Sequence, residues 1–520
     1  MNMLVRAGVI VAVTGMALAQ SAAPPNAWPP PRFVDPARAQ KLAAAFPEID
    51  AIVQKFGGGL PGYAFGVIVD GELAHVSTGG VRDLSSKAPV DADTVFRIAS
   101  MTKSFTAIAI LELRDEGKLS LDDPVERHVR ELAGLRYPTS DSPKITIRHL
   151  LSHATGFPED NPWGDQQLAR TDAWLSDMMR RGIPFSNPPG LAYEYSNYGF
   201  GILGQVVARV SGRPYRQYIA EAVLQPLGMS ATTLEASAVP ADRLAHGYRR
   251  EDNQWKEEPP LPDGVFGAMG GMLTSLRDLH TYVAFLMSAW PPRDGPATGP
   301  LSRASLREMQ QVARPALASV VRAQSGDTVL RAGGYGFGLR VSQSCAIRHI
   351  VAHSGGLPGY GSLMQWYPEH GVGFIGMGSM TYTGWAGVVD QATNALIRTG
   401  AFQPRVPQPS PALIDARDKI TRLVEKWDDT LADAIAADNL FLDQSKDRRR
   451  RAVDALHAEV GACTPDADGF VVENALRGRW TLTCERGRAQ VAITLAPTMP
   501  PKVQYWTVST RITPPPATCR

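Results

Sequence analysis

Apolar residues at Leu42, Phe46, Ile49, Ile52 and Val53 recur at helical spacing and predict an amphipathic helix over 40–57. Two strands follow, 64–69 and 72–77, joined at Asp70-Gly71, a two-residue hairpin signal. The stretch 91–98 then leads into an apolar run, 104–113, that closes at Glu116-Gly117. That run is too long for one strand and stops at glycine, so it predicts a buried helix beginning near Ser100. From Leu119 to about Pro262 the pattern is mostly helical and loop-rich. It includes a short helix over 145–153 ending near Gly156 and a helix over 200–210. A Gly-rich turn, 267–275, precedes a helix over 276–287, and strands are expected at 336–341, 347–352, 361–367 and 371–378. A helix over 385–396 ends this unit, and a Pro-rich stretch, 404–411, marks a boundary. Beyond it, helical segments at 413–437 and 450–460 precede strand-like stretches at 470–473, 478–484, 489–495 and 503–508. The expected organisation is a main domain over 40–400, a linker over 401–412 and an accessory α+β domain over 413–520.

Composition adds three points. Of 520 residues, 44% are hydrophobic and 20% charged, which is globular, and a net charge of +2 gives no reason to expect a nucleic acid or anionic surface as partner. The run Arg448–Arg451 reads as a solvated helix face. The amino end carries Arg6, an apolar stretch 7–16 and Ala17-Leu18-Ala19, the pattern of a cleaved export signal over 1–19. A Pro/Ala-rich leader over 20–39 follows. The apolar stretch is too short for a stable membrane anchor, so a periplasmic or secreted location is expected. Four cysteines in an exported chain allow three connectivities; Cys463 and Cys484 flank one compact stretch and form the favoured pair.

Candidate chemistry starts at Ser100-Met101-Thr102-Lys103. On a helix, residues three apart share a face, so the Ser100 hydroxyl and the Lys103 amine can meet. A serine becomes a nucleophile when a neighbour takes its proton, and a lysine can do so once burial lowers its pKa. None of the other ten lysines has a serine three residues before it. At Tyr195-Ser196-Asn197, an extended backbone places Tyr195 and Asn197 on one face, offering a phenol for proton transfer and an amide for substrate. His353-Ser354-Gly355-Gly356 lies among strands, where glycines permit close approach by substrate. His149 and His153 have i,i+4 spacing, but no third ligand is evident, and a structural role is the better reading. No motif calls for a metal or a cofactor.

Together, Ser100-x-x-Lys103, Tyr195-Ser196-Asn197 and His353-Ser354-Gly355 in chain order resemble the beta-lactamase and penicillin-binding-protein superfamily, in its class C-type branch. Arg148-His149-Leu150-Leu151-Ser152-His153-Ala154-Thr155-Gly156 and Pro226-Leu227-Gly228-Met229 are also similar to it. The resemblance covers about residues 40–400. It implies an α+β fold: an antiparallel sheet flanked by helices, with an inserted helical lobe. It further implies acylation of Ser100 with Lys103 and Tyr195 relaying the proton. Asn197, His353, Ser354 and Gly355 would bind substrate, and the backbone N–H groups of Ser100 and Gly356 would form the oxyanion hole. The third motif departs from the superfamily's Lys-Thr-Gly, whose lysine helps bind the substrate carboxylate. His-x-Gly is similar to some DD-carboxypeptidases, D-amino-acid peptidases and esterases. The expected partner is therefore a small-molecule or peptide substrate, with a class C-like beta-lactamase and a non-catalytic penicillin-binding sensor as the alternatives.

Overall fold

The computed structural model describes residues 28–262, 264–322, 328–466 and 469–512. The expected export signal, residues 20–27 of the leader and Cys519 lie outside them. The chain divides into two compact units, Arg32–Val406 and one that begins at Pro407.

The strands of the first unit are β1 (Gly62–Val69), β2 (Glu72–Gly80), β3 (Val95–Arg97), β4 (Tyr248–Glu251), β5 (Gln254–Glu257) and β6 (Leu273–Ser275), followed by β7 (Arg314–Arg322), β8 (Thr328–Tyr335), β9 (Arg340–Ser344), β10 (Ile350–Leu357), β11 (Tyr360–Tyr367) and β12 (Val372–Gly378). Eight of them form one antiparallel sheet in the order β2-β1-β12-β11-β10-β9-β8-β7. The β1–β2 turn uses Asp70 and Gly71 with φ of 55° and 93°, the left-handed pair that a two-residue hairpin needs. Every residue of β1 is buried, because both of its faces are covered. Tyr63, Phe65 and Val67 pack with Ile49, Val53, Val388 and Leu396, whereas Ala64 and Ile68 face the core that holds Leu276, Leu279 and Phe105. The period-two alternation thus sorts side chains between two helical layers rather than between core and water. Between the Ser100 helix and Leu276–Met287 the chain is chiefly helix and loop, with the short β4–β5 hairpin and β6.

Several expected elements differ. The first helix is two, Arg38–Ala43 and Phe46–Gly57, because Pro47 lacks a donor N–H and restarts the helix in its first turn. The 145–153 helix shrinks to Ile147–Leu151: Thr146 caps it, exchanging bonds with the backbone and ring of His149. His153 lies beyond it at φ 53°, so the two histidines share no helical face. The expected strand 336–341 is mostly the turn between β8 and β9. Strands β7 and β8 had not been expected; they form the sheet's outer edge, where side chains such as Leu317 and Leu330 stand exposed and leave no clean alternation. At the unit's end, Ala401 and Phe402 are buried in its core and Val406 pairs with Arg32.

The second unit packs helices Pro411–Glu425, Asp429–Ile435, Leu440–Asp443 and Lys446–Val460 with a five-stranded antiparallel sheet. Its core holds Leu413, Ile420, Leu456, Trp480, Val491 and Trp506. Cys463 and Cys484 face each other in register and are bonded. Arg449 departs from the solvated-face reading of its run: it is buried, and its guanidinium donates to the carbonyls of Leu440, Gln444 and Trp506. Among the described residues, no helix is long and apolar enough to cross a membrane, and no group of acidic, histidine or cysteine side chains could hold a metal ion.

Candidate active site

Ser100 sits in a tight 3-10 turn, Ala99–Met101, that runs straight into the helix Thr102–Asp115. Ala99 holds φ at 50°, a left-handed conformation that costs an alanine of order 1 kcal/mol or more and is tolerated only where the surroundings enforce it. The enforcing contacts come from β10 and β11. Ser362 Oγ donates to the Ile98 carbonyl at 2.9 Å. A Cβ on Gly355 would come within 2.1 Å of that same oxygen. Gly355, expected to contact substrate, therefore serves as a spacer that lets β10 lie directly against the nucleophile's own segment.

Lys103, 0% exposed, is one turn further on. Its Nζ lies 3.0 Å from Ser100 Oγ, 2.7 Å from Asn197 Oδ1 and 2.8 Å from the Met269 carbonyl. The last two partners can only accept. A neutral amine has two N–H bonds to give them, which leaves its lone pair for the Ser100 hydroxyl. Burial drives the Lys103 pKa down to about 7, against the pull of Asp165 and Asp160, while Arg340 pushes the same way as burial. The neutral base is thus abundant near neutrality. Met269 belongs to the expected Gly-rich turn, which folds as a short helix, Gly267–Gly270.

Tyr195 brings its ring to 4.9 Å from Lys103 Nζ. Burial pushes the phenol pKa far above its usual value, an effect that contact with Ser100 only partly offsets, so Tyr195 is a neutral phenol placed to pass a proton on. The next residue, Ser196, is extended and caps the helix Asn197–Ser211 by accepting from Gly199 N–H. Asp160 accepts from the N–H groups of Asn197 and Tyr198 at 2.6 and 2.8 Å, fixing the start of that helix. Asn197 is fully buried; Oδ1 takes the Lys103 bond, and Nδ2 donates to Asn161 Oδ1 at 3.2 Å. The expected substrate-binding amide is therefore spent on the lysine, and Asn161 lines the pocket in its place.

His353 is buried on β10. Its Nδ1 lies 2.7 Å from the Ser354 carbonyl, which can only accept, so the ring proton is on Nδ1. Nε2 then accepts from the Tyr335 hydroxyl, also at 2.7 Å. Burial, with Arg340 and Lys103 nearby, holds the His353 pKa well below 6.5. The ring is neutral with both nitrogens engaged, and cannot supply the positive charge that a lysine at this place would. That charge comes from Arg340, the first residue of β9, exposed beside the Tyr195 ring at 5.7 Å. The β8–β9 turn reaches the site because Gly338, at φ 67°, packs on the Lys103 backbone with no room for a side chain.

A cavity of about 330 Å³ joins these groups, lined by Ser100, Tyr195, His353, Ser354 and Gly356, together with Asn161, Pro162, Asp165, Arg340 and Tyr382. Ser100 itself is 8% exposed, at its floor. Beyond Ala352, β10 has no strand partner on its β9 side among the described residues, so the edge that carries Gly356 stays open there. The sequence reading missed Asn161, Asp165, Arg340 and Tyr382, which come from a short helix, loops and a strand end with no shared local pattern.

This fold, with a serine and lysine one turn apart under an antiparallel sheet, defines the serine acyl-transfer hydrolases. The chain belongs to the beta-lactamase family, whose profile, described as Beta-lactamase, matches residues 49–398. It is similar to penicillin-binding protein 4* of Bacillus subtilis, 27% identical over 314 residues that cover 58% of this chain and 64% of that protein. It is equally similar to protein flp of Staphylococcus aureus strain COL, 27% identical over 334 residues, 63% of this chain and 62% of that one. The chain thus spans less than two thirds of the length of either relative. The fold recurs in the class C beta-lactamase of Rhodobacter sphaeroides (TM-score 0.52, 21% identity, covering 69% of this chain and 99% of that one). It recurs again in EstCE1, a hydrolase with promiscuous acyltransferase activity (TM-score 0.54, 20% identity, 69% and 99%). Both likenesses are of fold alone.

Proposed function

We propose that this protein is an exported serine hydrolase that forms an acyl-enzyme at Ser100 on peptide amides or esters whose leaving part bears a carboxylate, such as peptides ending in D-residues. The observation that carries the reading is the Lys103 amine, held by two obligate acceptors with its third position on the Ser100 oxygen. As Ser100 Oγ bonds to the substrate carbonyl carbon, its proton moves to Lys103 Nζ. The carbonyl oxygen becomes an oxyanion held by the N–H groups of Ser100 and Gly356, donors that each contribute roughly 3 kcal/mol in such sites. Tyr195 passes its proton to the departing nitrogen or oxygen as the C–N or C–O bond breaks and takes the proton held on Lys103 in return, which restores the neutral amine. Water then attacks the ester by the reverse route. The open β10 edge suits an extended backbone, which could pair there as an added strand.

Arg340 supports the carboxylate. A class C-like beta-lactamase remains the second reading, since a bicyclic beta-lactam also carries a carboxylate. A chromogenic cephalosporin, a neutral p-nitrophenyl ester and an N-acetyl-D-Ala-D-Ala peptide, assayed side by side, separate the two. Arg340→Gln is expected to raise KM for the peptide at least ~10-fold, the loss of one charged hydrogen bond, and to affect the ester much less. Equal effects on both would remove Arg340 from carboxylate recognition, and preferred turnover of the cephalosporin would favour the lactamase reading.

A further inference from the structure

The cavity carries two exposed-to-ligand charges of opposite sign. Arg340 supplies one, and Asp165, just after the short helix Asn161–Gly164, supplies the other. Asp165 is only 4% exposed, yet its one side-chain hydrogen bond among the described residues is from a neutral donor, the Tyr382 hydroxyl, to Oδ2 at 3.1 Å. A buried carboxylate with one neutral partner is incompletely compensated, because buried charges are normally paired with an opposite charge. Tyr382 is itself unusual: a 52% exposed tyrosine at φ 55°, in a turn pinned by its N–H to the Tyr360 carbonyl. Its ring lies against Gly356, where a Cβ would come within 2.7 Å of Tyr382 Cδ1. The strained turn thus spans from the oxyanion strand to Asp165 and presents the carboxylate along the cavity wall.

We propose that Asp165 is the receptor for an ammonium group on the substrate's acyl portion, so that the preferred substrates are short peptides with a free amine at one end and a free carboxylate, read by Arg340, at the other. The proposal rests on the acyl-transfer reading of Ser100. The small cavity suits such a zwitterion, with the scissile carbonyl between its two charged ends. The groups that face Asp165 are Tyr382, Lys103, Asp160 and Glu159. Burial raises its pKa to about 6, with Lys103 opposing that rise, and an ammonium bound beside it would favour the ionised form.

The test compares D-Ala-D-Ala with N-acetyl-D-Ala-D-Ala on the full chain, by dipeptide consumed, with intact-mass detection of a fluorophosphonate adduct at Ser100 in parallel. The wild type should favour the free amine in kcat/KM by at least ~10-fold. That preference should fade as the pH rises past ~8, where the amine loses its proton. Asp165→Asn should bring the ratio of the two substrates towards one. A wild type that labels at Ser100 but shows no preference, or prefers the acetylated peptide, overturns the ammonium receptor and leaves the hydrolase reading standing. Absence of both labelling and turnover overturns the hydrolase reading itself. An Asp165→Asn variant that shifts the pH profile equally for both substrates with the ratio intact also overturns the receptor role, because Asp165 then only holds the charge of Lys103. The wild-type pH series decides the matter should the variant fail to fold.

Discussion

Ser100→Ala is expected to abolish turnover and covalent labelling together, with kcat lowered at least ~10⁴-fold. Among the described residues, the hydroxyl is the one nucleophile that both lines the cavity and lies within hydrogen-bond reach of Lys103. Intact-mass spectrometry after exposure to a penicillin or fluorophosphonate checks this: wild type gains one adduct, and the variant gains none. The substitution removes one buried oxygen and little volume, so the melting temperature should move little. A variant that still acylates would mean that another residue is the nucleophile.

The second large effect belongs to Lys103. With its pKa near 7, kcat/KM for a neutral ester should climb about tenfold per pH unit below 7 and level off above it, because the base is the deprotonated amine. His353 and His153 are both held well below 6.5 and stay neutral through this range, so they do not shape the limb. Lys103→Ala should cost at least ~100-fold and abolish that limb. A rate that falls with rising pH across 6–8 would show that the ammonium form is the active one, with Tyr195 then the base.

How far the sequence could see follows from the range of each interaction. The Ser100–Lys103 contact is set by one helical turn, so spacing alone places it. Asp70-Gly71 marks its hairpin because few residue pairs adopt two left-handed conformations in a row. The partners of those residues were another matter. Asn197 was read as facing substrate because its alternation with Tyr195 was visible; its bond to Lys103, 94 positions away, was not. His353 offered a ring but not the Tyr335 hydroxyl that occupies it. Asp165, Arg340 and Tyr382 meet only once the sheet and the helical lobe have closed on each other. The edge strand β7 and its neighbour β8 escaped notice because exposed strands near a sheet edge need not alternate.

Lys103 also carries a thermodynamic cost for the whole fold. Its pKa is about 7 when folded and 10.5 as the reference for the open chain, so between those values the unfolded chain binds the extra proton. Stability therefore rises with pH across that window; the burden is complete below 7 and gone above 10.5. Its size is at most roughly 5 kcal/mol, comparable to the net stability of many domains. Lys103→Met should accordingly yield a dead protein that melts at a higher temperature than its parent, with the gap widest in mild acid and closing in strong alkali. Evolution towards hardier versions of this chain would thus run against its chemistry, since the simplest stabilising change at the site removes the base.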